Sequence, residues 1–196
     1  MTKFIQTQAV VMIAPILLAA SLVSAADKKP QAKGFKPHPV NKTFYIKGDM
    51  NAAKAKEIEA KISGTKSVTK VEELTESSGY VRVAFDTHVI TSHMIAMSIM
   101  DSGDFQVYLK IEIPEYDEHK AAVDKVFALL LEKQKVKITP SDDGKGHFTL
   151  TYLPIELKTE NLRANGFNYG HLGHKIHDPA PRGLGLNIKF YEAPKK

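Results

Sequence analysis

The spacing of hydrophobic and polar positions changes repeatedly over residues 43–113. The segment "TFYIKG" has the composition of a strand, and the following "NAAKAKEIEAKI" places Ala55, Ile58 and Ile62 on one face of a helix. Two strands follow, "SVTKVEELTE" and "GYVRVAFD", then a helix in "ITSHMIAMSIMDSG" and a strand in "FQVYLKIEI". The pattern therefore predicts the element order βαββαβ.

The same order begins again after Pro114. The segment "DEHKAAVDKVFALLLEKQ" predicts an amphipathic helix, and "KVKITP" and "GHFTLTYLPIEL" predict two strands around a turn. A short helix in "KTENLRANG" and a strand in "LGLNIKFYE" complete the pattern. The strand that includes residues 110–113 closes the first unit and is available to open the second. We therefore predict an α+β fold of two tandem βαββαβ units, residues 43–113 and 114–196, with antiparallel sheets that carry helices on one face.

Residues 1–25 have the composition of a secretory signal peptide. They contain one early lysine, an apolar run from Ala9 to Ala20, and small residues ahead of Ala26. The apolar run is too short to span a bilayer comfortably, so we expect cleavage and no stable membrane insertion. Residues 26–42 are rich in lysine and proline, which predicts a flexible leader. The sequence thus predicts a periplasmic or secreted protein.

Composition limits the chemistry that is open to the folded part. The chain has no cysteine, which excludes disulfides and thiolate ligands. Loss of Lys3 with the signal peptide lowers the formal net charge from +5 to +4, and the lysines are scattered, so nucleic acid is not an expected partner. Because the chain has no nucleophile elbow, P-loop, dinucleotide-binding glycine motif or HExxH motif, we expect no enzymatic activity.

The first unit resembles the heavy-metal-associated domain family, whose members have a ferredoxin-like fold. The resemblance lies in "YIKGDMNAAKAKEIEAKI", "KVEELTESSGYVRVAFDTHVIT" and "MIAMSIMDSGDFQV". In this family two cysteines separated by two residues follow the first strand. Counted back from Ile58, these positions hold Asn51 and Lys54, neither of which replaces a thiolate. The resemblance therefore implies the fold, while the family's CxxC metal motif is lacking.

The second unit matches this family only in its order of elements, so the resemblance implies two tandem ferredoxin-like units. When Ile111 is aligned with Ile46, the two cysteine positions fall on Tyr116 and His119. A histidine there is a usable metal ligand. The alternative is an exposed histidine in the first turn of a helix.

Three loops of the second unit are expected at one edge, because the chain reverses direction at each element. Their sequences are "PEYDEH", "SDDGKGH" and "NYGHLGHKIHDPAPRG". Imidazole and carboxylate groups bind copper(II) or zinc where thiolates are absent. We therefore predict a copper or zinc ion at this edge, with five histidines as candidate ligands: His119, His147, His171, His174 and His177.

The conformation of the histidine-rich segment is open. A helix over residues 170–177 would place its three imidazoles on one broad face, whereas its two glycines and Pro179 favour a flexible loop. A solvated loop with only adventitious metal affinity is the alternative to a physiological site. His88 and His93 are expected at the opposite end of the first unit, as a second weak site or as polar positions at a helix start.

Two functions fit these observations. The first is an exported, soluble metal-binding protein that stores, delivers or senses copper or zinc through the second unit. The alternative is a non-catalytic periplasmic scaffold or accessory subunit that reuses the metal-domain fold to bind a protein partner. The missing cysteines of the first unit favour the scaffold, and the histidine-rich segment favours metal binding.

Overall fold

The computed structural model describes residues 39–156 and 166–192. Within these ranges the chain forms seven strands and four helices. The strands are β1 (Pro39–Lys47), β2 (Val68–Glu72), β3 (Tyr80–Asp86), β4 (Gln106–Glu112), β5 (Val136–Pro140), β6 (His147–Tyr152) and β7 (Lys189–Phe190). The helices are α1 (Ala52–Ser63), α2 (Ser92–Met100), α3 (Tyr116–Gln134) and α4 (Tyr169–His177). The expected signal peptide, the leader up to residue 38 and nearly all of the short helix expected in "KTENLRANG" lie outside the described residues.

Strand β4 belongs to both predicted units. The strands pair in the order β2-β3-β1-β4-β6-β5, and β7 pairs with β4 as well. The first unit thus has the order β2-β3-β1-β4 and the second β5-β6-β4-β7, which is the same ferredoxin-like arrangement. On one edge of β4, Gln106 to Tyr108 pair with β1, and Ile111 and Glu112 pair with β7. The predicted α+β fold of two βαββαβ units is confirmed, and the units form one continuous antiparallel sheet.

One face of the sheet is apolar and carries the helices. Buried Val107, Leu109 and Ile111 alternate along β4 with partly exposed residues, as expected for a strand with one covered face. Each helix contributes buried side chains to the same core cluster: Ile58 and Ile62 of α1, Ile95 and Ile99 of α2, Val123 and Leu130 of α3, and Leu172 and Ile176 of α4. A single core therefore lies between the sheet and the helices.

The starts of the first two helices follow from their capping residues. The Asn51 side-chain oxygen accepts a hydrogen bond from the Lys54 N–H at 2.9 Å, and Thr91 Oγ1 accepts one from the Met94 N–H at 3.3 Å. Helix α1 then ends at Ser63, before Gly64. Among the described residues, no helix is long and apolar enough to cross a membrane.

Strand β1 begins at Pro39, four residues before the strand start at Thr43 that the sequence predicted. The added residues include Lys42, whose Nζ lies 4.2 Å from the ring centre of Tyr169 and 4.7 Å from that of Phe190. Burial lowers the pKa of Lys42. These two rings come from α4 and β7, far along the chain, and for that reason the local sequence pattern did not show the longer strand.

The flexible loop predicted for the histidine-rich segment is instead helix α4. Gly170 and Gly173 disfavour a helix by about 1 kcal/mol each relative to alanine. Leu172 and Ile176, however, are fully buried against the core, and burial of such a side chain contributes about 1.5–3 kcal/mol. Tertiary packing therefore outweighs the local preference for a loop.

Candidate metal-binding groove at helix α4

A groove of about 620 Å³ runs beside helix α4. Its walls come from the loop between β3 and α2, from α4 itself, and from the segment that leads into β7. Four histidines among the described residues line it: His88, His171, His174 and His177. The structure thus brings the three histidines of α4 next to a histidine of the first unit.

The start of α4 is attached to the start of α2 through Asn168. The Ser92 N–H donates to Asn168 Oδ1 at 2.8 Å, and Asn168 Nδ2 donates to the Thr87 carbonyl at 3.1 Å. The Ser92 hydroxyl donates to the Phe167 carbonyl at 2.7 Å. These bonds fix α4 against the loop that carries His88, so the two walls of the groove have a defined separation.

His93 is buried at the base of this junction and has both ring nitrogens bonded. The Phe167 N–H donates to His93 Nδ1 at 3.3 Å, so Nε2 carries the proton that is shared with the Leu153 carbonyl at 2.7 Å. Burial lowers the pKa of His93 and keeps the ring neutral. His93 therefore joins α2 to two segments of the second unit, which fits the structural alternative and leaves no lone pair for a metal.

His171 has a bond of the same kind. The Asn168 N–H donates to His171 Nδ1 at 3.3 Å, and the His171 N–H donates to the Asn168 carbonyl at 2.8 Å at the start of α4. Burial and, secondarily, the neighbouring His174 lower the pKa of His171. The Nδ1 lone pair is occupied, so in this tautomer Nε2 carries a proton and is not a ligand.

His174 and His177 have the opposite arrangement. Nδ1 of His174 lies 3.2 Å from Asp178 Oδ2, and Nδ1 of His177 lies 3.3 Å from the Leu186 carbonyl oxygen. Both partners are oxygen acceptors, so the proton of the neutral ring is held at Nδ1. The lone pair of each ring is then at Nε2, the atom that commonly binds metal ions.

His88 lies in the loop that follows β3. Its Nδ1 is 3.3 Å from Asp86 Oδ1, and its backbone N–H donates to the same oxygen at 2.9 Å. The sequence did not associate His88 with the histidines of α4. The shared strand was the available signal: β4 ends the first unit and begins the second, so the β3–α2 loop lies at the same end of the sheet as the β4–α3 and β5–β6 loops.

Three loops of the second unit contact one another at one edge of the sheet, as predicted. The Ile113 N–H donates to the Gly146 carbonyl at 2.8 Å, which joins the β4–α3 and β5–β6 loops. The Asn187 N–H donates to Glu115 Oε2 at 3.2 Å, which adds the α4–β7 loop. The three loops therefore meet at one edge of the sheet, as the chain reversals predicted.

His119 and His147 lie at this edge but do not line the groove. His119 is exposed in the first turn of α3, and the His147 ring stacks on Tyr191 with 5.4 Å between ring centres. In residues 39–156 and 166–192, no three His, Asp or Glu side chains are grouped so that they could hold a metal ion. The part played by His119 and His147 as ligands stays a prediction.

Asn51 and Lys54, at the positions of the family's cysteines, have other contacts. Asn51 caps α1, and Lys54 Nζ donates to the Asp49 carbonyl at 3.1 Å. An amide oxygen that caps a helix and an ammonium group that lies beside a carbonyl do not reproduce a dithiolate site.

No model of a known protein family matches the chain, and no curated protein matches it. Among solved structures, the water-soluble region of the P-type ATPase CopA from Bacillus subtilis is 17% identical, with a TM-score of 0.37, over 79% of this chain and 93% of that one. The N-terminal soluble domains of CopA from Bacillus subtilis are 16% identical, with a TM-score of 0.35, over 80% of this chain and 97% of that one. A candidate copper-ion-binding protein from Bacillus anthracis str. Ames is 24% identical, with a TM-score of 0.34, over 37% of this chain and 99% of that one. At such identities and TM-scores the similarity carries no argument about function, and the fold assignment rests on the strand order described above.

Proposed function

We propose that the protein binds a copper(II) or zinc ion in the groove beside α4, through Nε2 of His174 and His177. The supporting observation is the oxygen acceptor at Nδ1 of each ring, the Asp178 carboxylate for His174 and the Leu186 carbonyl for His177. Such acceptors orient a metal-binding imidazole and make it more basic. Neutral imidazoles without thiolates suit zinc and copper(II) better than copper(I).

The role proposed for this site is storage, delivery or sensing of the ion by a non-catalytic protein. Export to the periplasm or the cell exterior is part of the proposal and rests on the signal-like composition of residues 1–25. Transfer between proteins is compatible with the groove, because it is open to solvent and the His174 side chain is 75% exposed.

Calorimetric titration with copper(II) and with zinc tests the site, on protein purified without an affinity tag. The double variant His174→Ala/His177→Ala is expected to bind ~100-fold more weakly or not at all, because both proposed ligands are removed. Unchanged tight binding in this variant would place the site elsewhere. Lowering the pH from about 7.5 to about 5.5 is expected to weaken wild-type binding, since a protonated imidazole has no lone pair for the metal.

His119→Ala and His147→Ala are the matched controls, because both histidines lie near the groove without lining it. If the groove alone holds the ion, both variants bind as tightly as the wild type. If the five histidines predicted from the sequence act together, each variant loses part of the affinity. The same titrations therefore distinguish the two sets of ligands.

A second candidate function is the scaffold role, and one observation favours it. Leu129 and Leu131 of α3 are 41% and 42% exposed, although both are large apolar side chains. A protein that contains no stoichiometric metal when purified from its native compartment, but that is bound to a defined partner, would support the scaffold over the metal site.

A further inference from the structure

The face of the sheet that is turned away from the helices carries a row of three tyrosines. Tyr45 of β1 pairs with Tyr80 of β3 on one side and with Tyr108 of β4 on the other. Phe44 and Val107, which are adjacent to them in the chain, belong to the core on the opposite face. All three tyrosines are partly exposed, so their rings lie side by side across three neighbouring strands and within reach of solvent.

The rings of Tyr45 and Tyr108 are nearly parallel. Their centres are 5.5 Å apart and their planes differ by 18°, whereas the Tyr80 ring is 6.2 Å from that of Tyr45 and tilted by 56°. Residues directly opposite each other on antiparallel strands are held about 5 Å apart at Cβ, so the backbone keeps this pair together. The other four of the seven tyrosines contact phenylalanine or histidine rings: Tyr116 on Phe148, Tyr152 on Phe44, Tyr169 on Phe190 and Tyr191 on His147.

We propose that Tyr45 and Tyr108 are a site of oxidative modification, at which a one-electron oxidant couples the two rings into a dityrosine bridge that stabilises the fold. Each phenol gives one electron to the oxidant and its hydroxyl proton to water, which leaves two phenoxyl radicals. The unpaired electrons form one carbon–carbon bond between the Cε atoms next to the hydroxyl groups. Each of these carbons then loses its hydrogen as a proton while the ring oxygen gains one, which restores both phenols. Two equivalents of oxidant are reduced and two protons are released in all.

The surroundings of Tyr45 are compatible with this chemistry. Burial raises the pKa of Tyr45, so its hydroxyl is protonated near neutral pH and the proton leaves together with the electron. Lys110 Nζ lies 5.4 Å from the centre of the Tyr45 ring and donates to Asp143 Oδ2 at 2.9 Å. The carboxylate therefore offsets the positive charge that would oppose loss of an electron from the ring. Two radicals held in one pair also couple without a diffusional encounter.

The bridge would constrain most of the first unit. It closes the loop from residue 45 to residue 108, which contains α1, β2, β3 and α2. A cross-link over a long loop stabilises a fold chiefly by restricting the unfolded chain, as a disulfide does. The chain has no cysteine for a disulfide, and the bridge would join the opening strand of the first unit to the strand that both units share.

Photochemical oxidation by tris(bipyridine)ruthenium(III), a one-electron oxidant, tests the site in the full chain. The variants are Tyr45→Phe and Tyr108→Phe, and Tyr80→Phe is the matched control from the same row. Phenylalanine keeps the ring and removes the hydroxyl group from which the radical forms. Thermal unfolding before oxidation shows whether each variant keeps its fold. Size-exclusion chromatography then isolates the oxidised monomer, and mass spectrometry of its peptides identifies the linked residues.

We expect a Tyr45–Tyr108 link in the wild type and in Tyr80→Phe, with a yield at least ~10-fold lower in the wild type oxidised in denaturant, where the two rings are no longer held together. Tyr45→Phe and Tyr108→Phe are expected to give no such link. The oxidised wild-type monomer is expected to unfold ~10 °C higher than before oxidation. A monomer without the Tyr45–Tyr108 link, an equal yield in denaturant, or an unchanged unfolding temperature of the linked monomer would overturn the proposal.

Discussion

Nδ1 accepts a backbone N–H at His93 and His171, whereas it is bonded to an oxygen acceptor at His174 and His177. The first arrangement uses the lone pair of the ring to hold two parts of the chain together. The second leaves the lone pair at Nε2, where it is available to a ligand. The neighbours of Nδ1 therefore separate structural histidines from candidate ligands more sharply than exposure or sequence spacing does.

His93 is expected to make stability depend on pH. Its pKa is lowered in the folded protein, so its contribution is fully present above the unfolded value of ~6.5 and is lost as the pH falls through the folded pKa. The partly buried His171, whose pKa is also lowered, adds a dependence of the same sign. We predict that the free energy of unfolding decreases as the pH falls below about 6.5.

His93→Phe is the variant that tests this dependence. It removes the bonds to Phe167 and Leu153, so we expect a loss of about 2 kcal/mol or more near neutral pH and a shallower decrease in acid. Denaturant unfolding of both proteins at several pH values gives the two slopes. Equal slopes would show that His93 does not carry the acid sensitivity.

Sequence spacing identified three of the four histidines of the groove but not their individual roles. His171, His174 and His177 are evenly spaced, yet only His171 lies within reach of the Asn168 N–H. The position of His88 depends on the pairing of strands far apart in the chain. These distinctions follow from tertiary contacts, which the spacing of residues in one segment does not contain.

At the scale of elements, hydrophobic periodicity predicted α1, α2 and α3 and the strands, whereas the glycines of α4 favoured a loop over the helix that forms. Helix α4 contains Gly170 and Gly173, and its apolar face consists of two fully buried residues, Leu172 and Ile176. Asn168, which begins α4, is itself held by Thr87 and Ser92 of the first unit. A short helix of this kind depends on its surroundings more than on its own residues.

The turn between β5 and β6 requires glycine at position 146. Gly146 has φ +72°, and a Cβ atom there would lie 2.6 Å from the Ile113 carbonyl oxygen. Gly79 has a similar φ of +64° and no atom within 4 Å of the same position, so it is the matched control. We predict that Gly79→Ala costs about 1–2 kcal/mol for the left-handed backbone, and that Gly146→Ala costs more because a backbone atom must also move.

Denaturant unfolding of the two glycine variants measures this difference. Equal losses would show that the β4–α3 loop gives way to the added methyl group. A larger loss for Gly146→Ala would show that the two loops at this edge are packed rigidly against each other.

For the molecule as a whole, the shared strand β4 makes the two units one folding unit. Leu109 is buried in the middle of β4, where it pairs with Leu150 of β6 and directly follows Tyr108, which pairs with both β1 and β6. We predict one cooperative unfolding transition, and a loss of about 2–5 kcal/mol in Leu109→Ala.

Hydrogen exchange shows whether Leu109→Ala lowers amide protection in both units or in one unit alone. In Leu109→Ala, amides of β3 and of β6 are expected to lose protection to the same degree, since both units depend on β4. Val68→Ala, on the edge strand β2, is the control and is expected to cost only about 1 kcal/mol. Exchange that rises in only one unit of Leu109→Ala would show that the units unfold separately.

The contact of Lys42 with the rings of Tyr169 and Phe190 brings the first described strand next to the last. Strands β1 and β7 therefore lie within the length of one lysine side chain of each other at this point. Strands that are adjacent in space accept a new covalent connection between them. A variant in which a short linker joins β7 to β1, with a new opening at a surface turn between them, is therefore expected to keep the sheet order.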